Sequence, residues 1–342
     1  MSVTSQPTVH NATADVLKGI GVLLMIQVHI MELFARPEIA DGNVGKIAFF
    51  LGGPPVAPMF MVLLGFFALR SNRSIGRLIM RGCKLIAVGA LLNLGINLHL
   101  FVRIYLGQIA LDPLEYLFGV DILLLAGISL IVIALLRPLL KDRPLLWGTT
   151  SLLIATVAPW MSNLVATESG WKWLAAFVAA PVRWSYFPLF PWLAYPMLGV
   201  AVFHLYDRLR LSRGGSAIAL AVSLPVLLFT GSFAIATSHD LPAFYHHGLP
   251  LFLWNTLFLA TWTLLFRLVI WPQLLWNWVS WFGQNVTACY IVQWLLVGNI
   301  ATAIYKTESL LHCALWFVTL VTMTRLLVTL ANAIRTRHPL SP

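Results

Sequence analysis

Charge is what this sequence most lacks. Lys, Arg, Asp and Glu make up 10% of its 342 residues and hydrophobic residues 59%, whereas a soluble domain carries about 25% charged residues. Water is thereby excluded as the main solvent of the folded chain. The expected fold is an all-α integral membrane protein, a single transmembrane domain over residues 1–342. Cysteine is scarce as well: Cys83, Cys289 and Cys313 lie in apolar stretches and supply no disulfide framework. The N-terminus has neither a basic leader nor a small-residue cleavage site, so the first apolar segment is expected to stay in the mature chain. Also missing are a Gly-rich phosphate loop, a CxxC pair, His-Glu-x-x-His, Gly-x-Ser-x-Gly and a repeat between the two halves.

What charge there is has one dominant sign, +10 net, and its distribution speaks for topology. About ten segments approach the roughly 20 residues a helix needs to cross a bilayer: 16–34, 48–69, 79–101, 117–137, 145–164, 186–206, 216–237, 249–269, 280–299 and 309–334. With both termini cytoplasmic, 16 Lys and Arg fall inside and 6 outside, as the positive-inside rule requires. The excess is accounted for without nucleic acid. A multi-pass protein of the bacterial inner (plasma) membrane is expected, with membrane lipid as a partner and homo-oligomerisation left open.

The first apolar segment is the exception to the scarcity of charge. It reads Asp15-Val-Leu-Lys18 and continues to His29-Ile-Met-Glu32. Eleven residues separate Lys18 from His29, about three turns plus 20°, so the two share a stripe about 16 Å long. Asp15 and Glu32 flank it at spacings of three. Ionisable groups at membrane depth are costly and by default face a cavity or partner. Asp121, one turn into the fourth segment, and His99 lie at a similar outer depth. The second segment opens Gly52-Gly-Pro-Pro-Val-Ala-Pro58, which reads as a partly re-entrant stretch or a kinked helix start.

Elsewhere each chemical reading has a structural counterpart. Arg73, Arg77 and Arg81, with Arg70 and Lys84, are either ordinary inside-positive flanks or a face for phosphate, which suits guanidinium. Trp184 and Trp192 are interface aromatics or an acceptor platform. Asn285, Tyr290 and Gln293 are helix–helix bonders or site residues. His239, Asp240, His246 and His247 share an outer loop without the spacing of zinc motifs, so no metal is expected.

With these residues in hand, a family resemblance emerges. Lys18-x10-His29 resembles the signature of acyltransferase-3-type membrane acyltransferases. Asp15-Val-Leu-Lys-Gly-Ile, Ala57-Pro-Met-Phe-Met-Val-Leu-Leu-Gly65, Arg77-x3-Arg-Gly-Cys-Lys-Leu-Ile, Phe187-Pro-Leu-Phe-Pro-Trp-Leu and Gly283-Gln-Asn-Val-Thr-x-x-Tyr290 are similar to the catalytic domain of heparan-α-glucosaminide N-acetyltransferase and its relatives. The resemblance covers about residues 14–300. Two departures stand out: 35–58 contains no histidine, and Gln293 occupies a position where many acyltransferase-3 members have one.

The resemblance implies transfer of an acyl group, usually acetyl, from cytosolic acetyl-CoA or another acyl-CoA to a hydroxyl or amine of a glycan or lipid-linked sugar across the membrane. His29 would be general base or acyl carrier, in a metal-free mechanism. Glu32 or Asp121 would orient its ring. Lys18, Arg73, Arg77 and Arg81 would hold the donor's phosphates. Trp184, Trp192 and Gln293 would meet the acceptor. The rival reading is a secondary transporter or flippase for an anionic or glycan-linked solute.

Overall fold

Long apolar runs in a bilayer must satisfy their own backbone donors and acceptors, and helices do this within one segment. A computed structural model describes residues 12–164, 171–209, 211–268 and 272–337. Arg210 and residues 165–170 of the outer aromatic loop lie outside the described residues. The main helices are α1 (Ala12–Leu33), α2 (Asn43–Gly52), α3 (Val56–Arg70), α4 (Ile75–Ile96), α5 (Ile122–Leu140), α6 (Pro144–Leu164), α7 (Ala194–Leu205) and α8 (Arg213–Phe229). They continue as α9 (Leu249–Leu268), α10 (Gln273–Gln284), α11 (Val286–Ile304) and α12 (Leu310–Arg337). Among the described residues no strand forms, and the single bridge pairs Ala35 with Glu308.

Among the described residues eight helices are long and apolar enough to cross a membrane, and nine if the bent pair Arg213–Phe229 and Gly231–His239 is one span. In the remaining expected segment, 186–206, the described residues form a shorter apolar helix, Leu189–Leu205, which follows Pro188 and is broken at Phe190. The Gly-Pro-Pro stretch separates α2 from α3 at Gly53–Pro55, where two adjacent prolines withdraw backbone donors. Together α2 and α3 make one span, Asn43–Arg70. A kinked crossing thus replaces the re-entrant reading.

Close helix approaches set the geometry around the stripe. Gly19 lies against the Val279 carbonyl and Gly283 against the Asp15 carbonyl, so a Cβ at either glycine would overlap backbone where α1 crosses α10. Gly52 meets Val28, Gly21 meets Met59, and Lys18 lies 5.6 Å from the Phe67 ring. Hence α3 runs antiparallel to α1 and delivers Arg70, Arg73 and Arg77 to the Lys18 end of the bundle. At the other end, Lys306 N–H donates to Leu33 O (3.0 Å), Glu308 N–H to Phe34 O (2.8 Å) and Arg36 N–H to Glu308 O (3.0 Å). These bonds fasten the α11–α12 turn to the end of α1. Lys306 takes a left-handed φ of 56° within that turn.

Candidate active site

His29 sits four residues before the end of α1, packed on α11. Its Nδ1 lies 3.3 Å from Gln293 Oε1, and its ring lies 3.9 Å from the Trp294 ring, tilted by 35°. An amide oxygen can only accept, so this contact is a hydrogen bond in the tautomer with the proton on Nδ1, which keeps the lone pair on Nε2. Among the described residues Nε2 has no hydrogen-bond partner. Gln293 is fully buried (0% exposed). Among the described residues neither Glu32 nor Asp121 bonds to the His29 ring, whose Nδ1 partner is Gln293, a residue expected at the acceptor.

Asp121 caps α5: Oδ1 accepts from its neighbour Ile122 N–H at 2.6 Å and from Tyr290 Oη at 2.5 Å. Among the described residues its Oδ2 has no hydrogen-bond partner. The sequence holds Asp121 at this depth by stopping the helix before it. Buried Asn93 on α4 donates to Leu117 O (3.1 Å) and Gly119 O (2.7 Å). Val120 N–H donates to Trp184 O and Phe187 N–H to Val120 O, at 2.8 and 2.9 Å. These bonds occupy the backbone groups a helix would otherwise use.

Glu32, one turn beyond His29, is half-buried and has no hydrogen-bond partner among the described residues. The charge of Lys306, placed by the fastened turn, acts on it. Tyr245, at the end of the short helix Leu241–Tyr245, completes this side. Burial first, and then the negative charge of Glu32, holds the Tyr245 phenol well above its ordinary range, with Tyr186 and Asp121 adding to the effect. Tyr186 meets Tyr245 edge to face at 5.6 Å. His29, Glu32, Asp121, Tyr290, Tyr245 and Tyr186 are therefore gathered at the end of α1 remote from Lys18.

Other expected residues are placed differently. Lys18 Nζ lies 2.7 Å from Asp15 Oδ1, with both side chains largely buried. Its charge is met by Asp15 on its own helix. Arg73 and Arg77 are exposed and Arg81 is half-buried; Arg137 Nη1 donates to Arg73 O at 2.9 Å. Trp192 is fully buried, and its Nε1 donates to Tyr245 O at 2.8 Å. It supports Tyr245 from behind and presents no platform. Trp184 is 9% exposed and packs on Trp173 at 4.9 Å, with Lys172 Nζ 5.6 Å from its ring. His247 Nε2 accepts from Tyr195 Oη at 2.7 Å while its Nδ1 donates to Phe244 O at 2.7 Å. No group of three His, Cys, Asp or Glu able to hold a metal ion occurs among the described residues.

Three contributors went unseen in the sequence. Lys306 reaches Glu32 only through the turn pairing, and Tyr245 and Tyr186 come from loops without periodicity. Tyr290 shows itself only as a polar group in an apolar run.

The architecture is that of a multi-pass membrane protein, and its polar centre offers an open imidazole nitrogen beside carboxylates and phenols. The family model described as heparan-alpha-glucosaminide N-acetyltransferase, catalytic, matches residues 12–249. The chain belongs to that family, within the membrane acyltransferase superfamily, and is in general terms a membrane acetyltransferase. No curated protein and no solved structure matches it.

Proposed function

We propose that the protein moves an acetyl group from acetyl-CoA to a hydroxyl or amine of a glycan or lipid-linked saccharide on the far side of the membrane, with His29 as general base. The observation that carries this reading is the contact of His29 Nδ1 with Gln293 Oε1, which supports a proton on Nδ1 and a lone pair on Nε2, within one helical turn of Glu32. Neutral imidazole, with an ordinary pKa near 6.5, suits proton transfer at working pH.

The acceptor O–H or N–H attacks the thioester carbonyl carbon as Nε2 takes its proton. The new C–O or C–N bond forms, the C–S bond breaks, and the coenzyme A thiolate leaves, to be protonated by the imidazolium. Glu32, lacking a partner of its own, accepts a hydrogen bond from the acceptor. Asp121 and Tyr290 bond to one another and shape the wall opposite. The donor's phosphates are met by Arg73, Arg77 and Arg81 at the Lys18 end, which we take as cytoplasmic from the distribution of Lys and Arg. Trp184, packed with Trp173 and Lys172, borders the acceptor side. The chain works as one domain, since α10, α11 and α12 all pack on α1.

The test is incubation of membranes with radiolabelled acetyl-CoA and identification of the labelled product. General-base help is typically worth 10²–10⁴-fold. A His29→Ala protein, expressed and folded normally, is expected to lose about that much activity. Full activity in this variant overturns the role of His29. Stabilisation by transported solutes and none by acetyl-CoA would favour the transporter reading.

A further inference from the structure

A second unusual cation lies away from this site. Arg325 is in the middle of α12, within a span of mean hydropathy 1.8. Among the described residues it forms no ion pair, and its Nη1 is buried with no hydrogen-bond partner. Its guanidinium carbon lies 5.0 Å from the Trp281 ring, 5.7 Å from Trp278 and 5.8 Å from Phe282, all on α10. Aromatic faces soften the cost of a cation in apolar surroundings, but they do not neutralise it.

Arg325 also begins a polar stripe. Thr329, Asn332 and Thr336 follow at spacings of four, three and four, within an arc of about 60° on the helix. All three are exposed, and Asn332 Nδ2 donates to Asn285 Oδ1 at 2.9 Å, just beyond α10. The stripe runs about 16 Å from Arg325 to the end of the span. The stripe adjoins an apolar outer surface of α12, where Leu326 is 64% and Leu330 57% exposed. It lies at the Lys18 end of the bundle, because Gly283 touches Asp15 and Asn285 follows two residues later.

We propose that this stripe binds an anionic phospholipid, its phosphate on Arg325 and its acyl chains along the apolar outer surface of α12. An unpaired guanidinium needs an anion, and guanidinium forms paired hydrogen bonds with phosphate. The hydroxyl and amide groups of the stripe give a headgroup polar contacts as it moves in from the interface. Basic pockets between spans on the cytoplasmic side are where anionic headgroups bind. The apolar surface beside the stripe favours a lipid over a soluble phosphate.

The test is native mass spectrometry of the purified protein titrated with phosphatidylglycerol or phosphatidylcholine. Wild-type protein is expected to retain phosphatidylglycerol preferentially. Arg325→Gln is expected to weaken that lipid by about 5-fold or more and leave phosphatidylcholine unchanged. Equal retention of both lipids by wild-type protein overturns the proposal without recourse to any variant. So does an unchanged preference in Arg325→Gln, and so does displacement of the lipid by millimolar coenzyme A or inorganic phosphate, which would make this a site for a soluble phosphate. Arg325→Lys, which keeps the charge and loses the planar fork, is expected to fall between the two and serves if the Gln variant fails to fold.

Discussion

Replacing Gln293 by Leu tests the tautomer argument directly. The side chain is fully buried and its Oε1 is the hydrogen-bond partner of His29 Nδ1. Leucine fills similar space but cannot accept, so a proton on Nδ1 would face a buried apolar wall. Leaving a buried donor unsatisfied costs about 1–3 kcal/mol. The imidazole can escape that cost by moving its proton to Nε2, the nitrogen required as base. The base-competent population, and with it kcat, is then expected to fall by about 5- to 150-fold. The KM for acetyl-CoA should hold, because the donor's phosphates are bound at the far end of α1. Gln293→Glu retains an acceptor toward Nδ1 and should preserve more activity than Gln293→Leu. The assay is transfer of labelled acetyl from acetyl-CoA in proteoliposomes, on protein matched for melting temperature. A Leu variant with wild-type kcat refutes the reasoning. A Leu variant less active than Glu by nothing, or defective only in KM, refutes it equally.

Two further predictions concern stability. Tyr290→Phe removes the hydroxyl that donates to Asp121 at 2.5 Å, when Asp121 Oδ2 already lacks a partner. It should destabilise the protein by about 1–3 kcal/mol, read as a lower melting temperature in detergent; an unchanged melting curve would show that the bond contributes nothing. Burial lowers the pKa of His247 to about 4, below the ordinary 6.5, so the unfolded chain binds the proton more readily between these values. Stability from this group is complete above pH 6.5 and is lost as pH falls toward 4, by about 3 kcal/mol at most. Melting temperature should therefore decline across that window, and less steeply in a His247→Gln protein of lower overall stability. Equal slopes in the two proteins would contradict the assignment.

Much of this molecule was legible before any coordinates. The scarcity of charge required a membrane helix bundle, and hydropathy located nearly every span. The cost of ionisable groups in lipid singled out His29 and Glu32, since few other reasons exist for such residues there. Roles were harder to read than positions. Lys18 was expected at the donor's phosphates, and the partner that the structure shows for it is Asp15, one turn away on the same face. Trp192 read as an interface aromatic or an acceptor contact, and packing buries it fully against Tyr245.

The chain by itself therefore determined its solvent, its helices and the stripe on α1, because composition and helical periodicity are local properties of sequence. Tertiary structure alone decided which groups meet His29. Gln293 lies 264 positions away, in a helix beyond the residues 12–249 matched by the family model, and Tyr290 stands 169 positions from Asp121. Hydrogen bonds of that span depend on where α11 packs, and no local periodicity encodes it. The tautomer of the base, and hence the chemistry proposed for it, is a consequence of that packing.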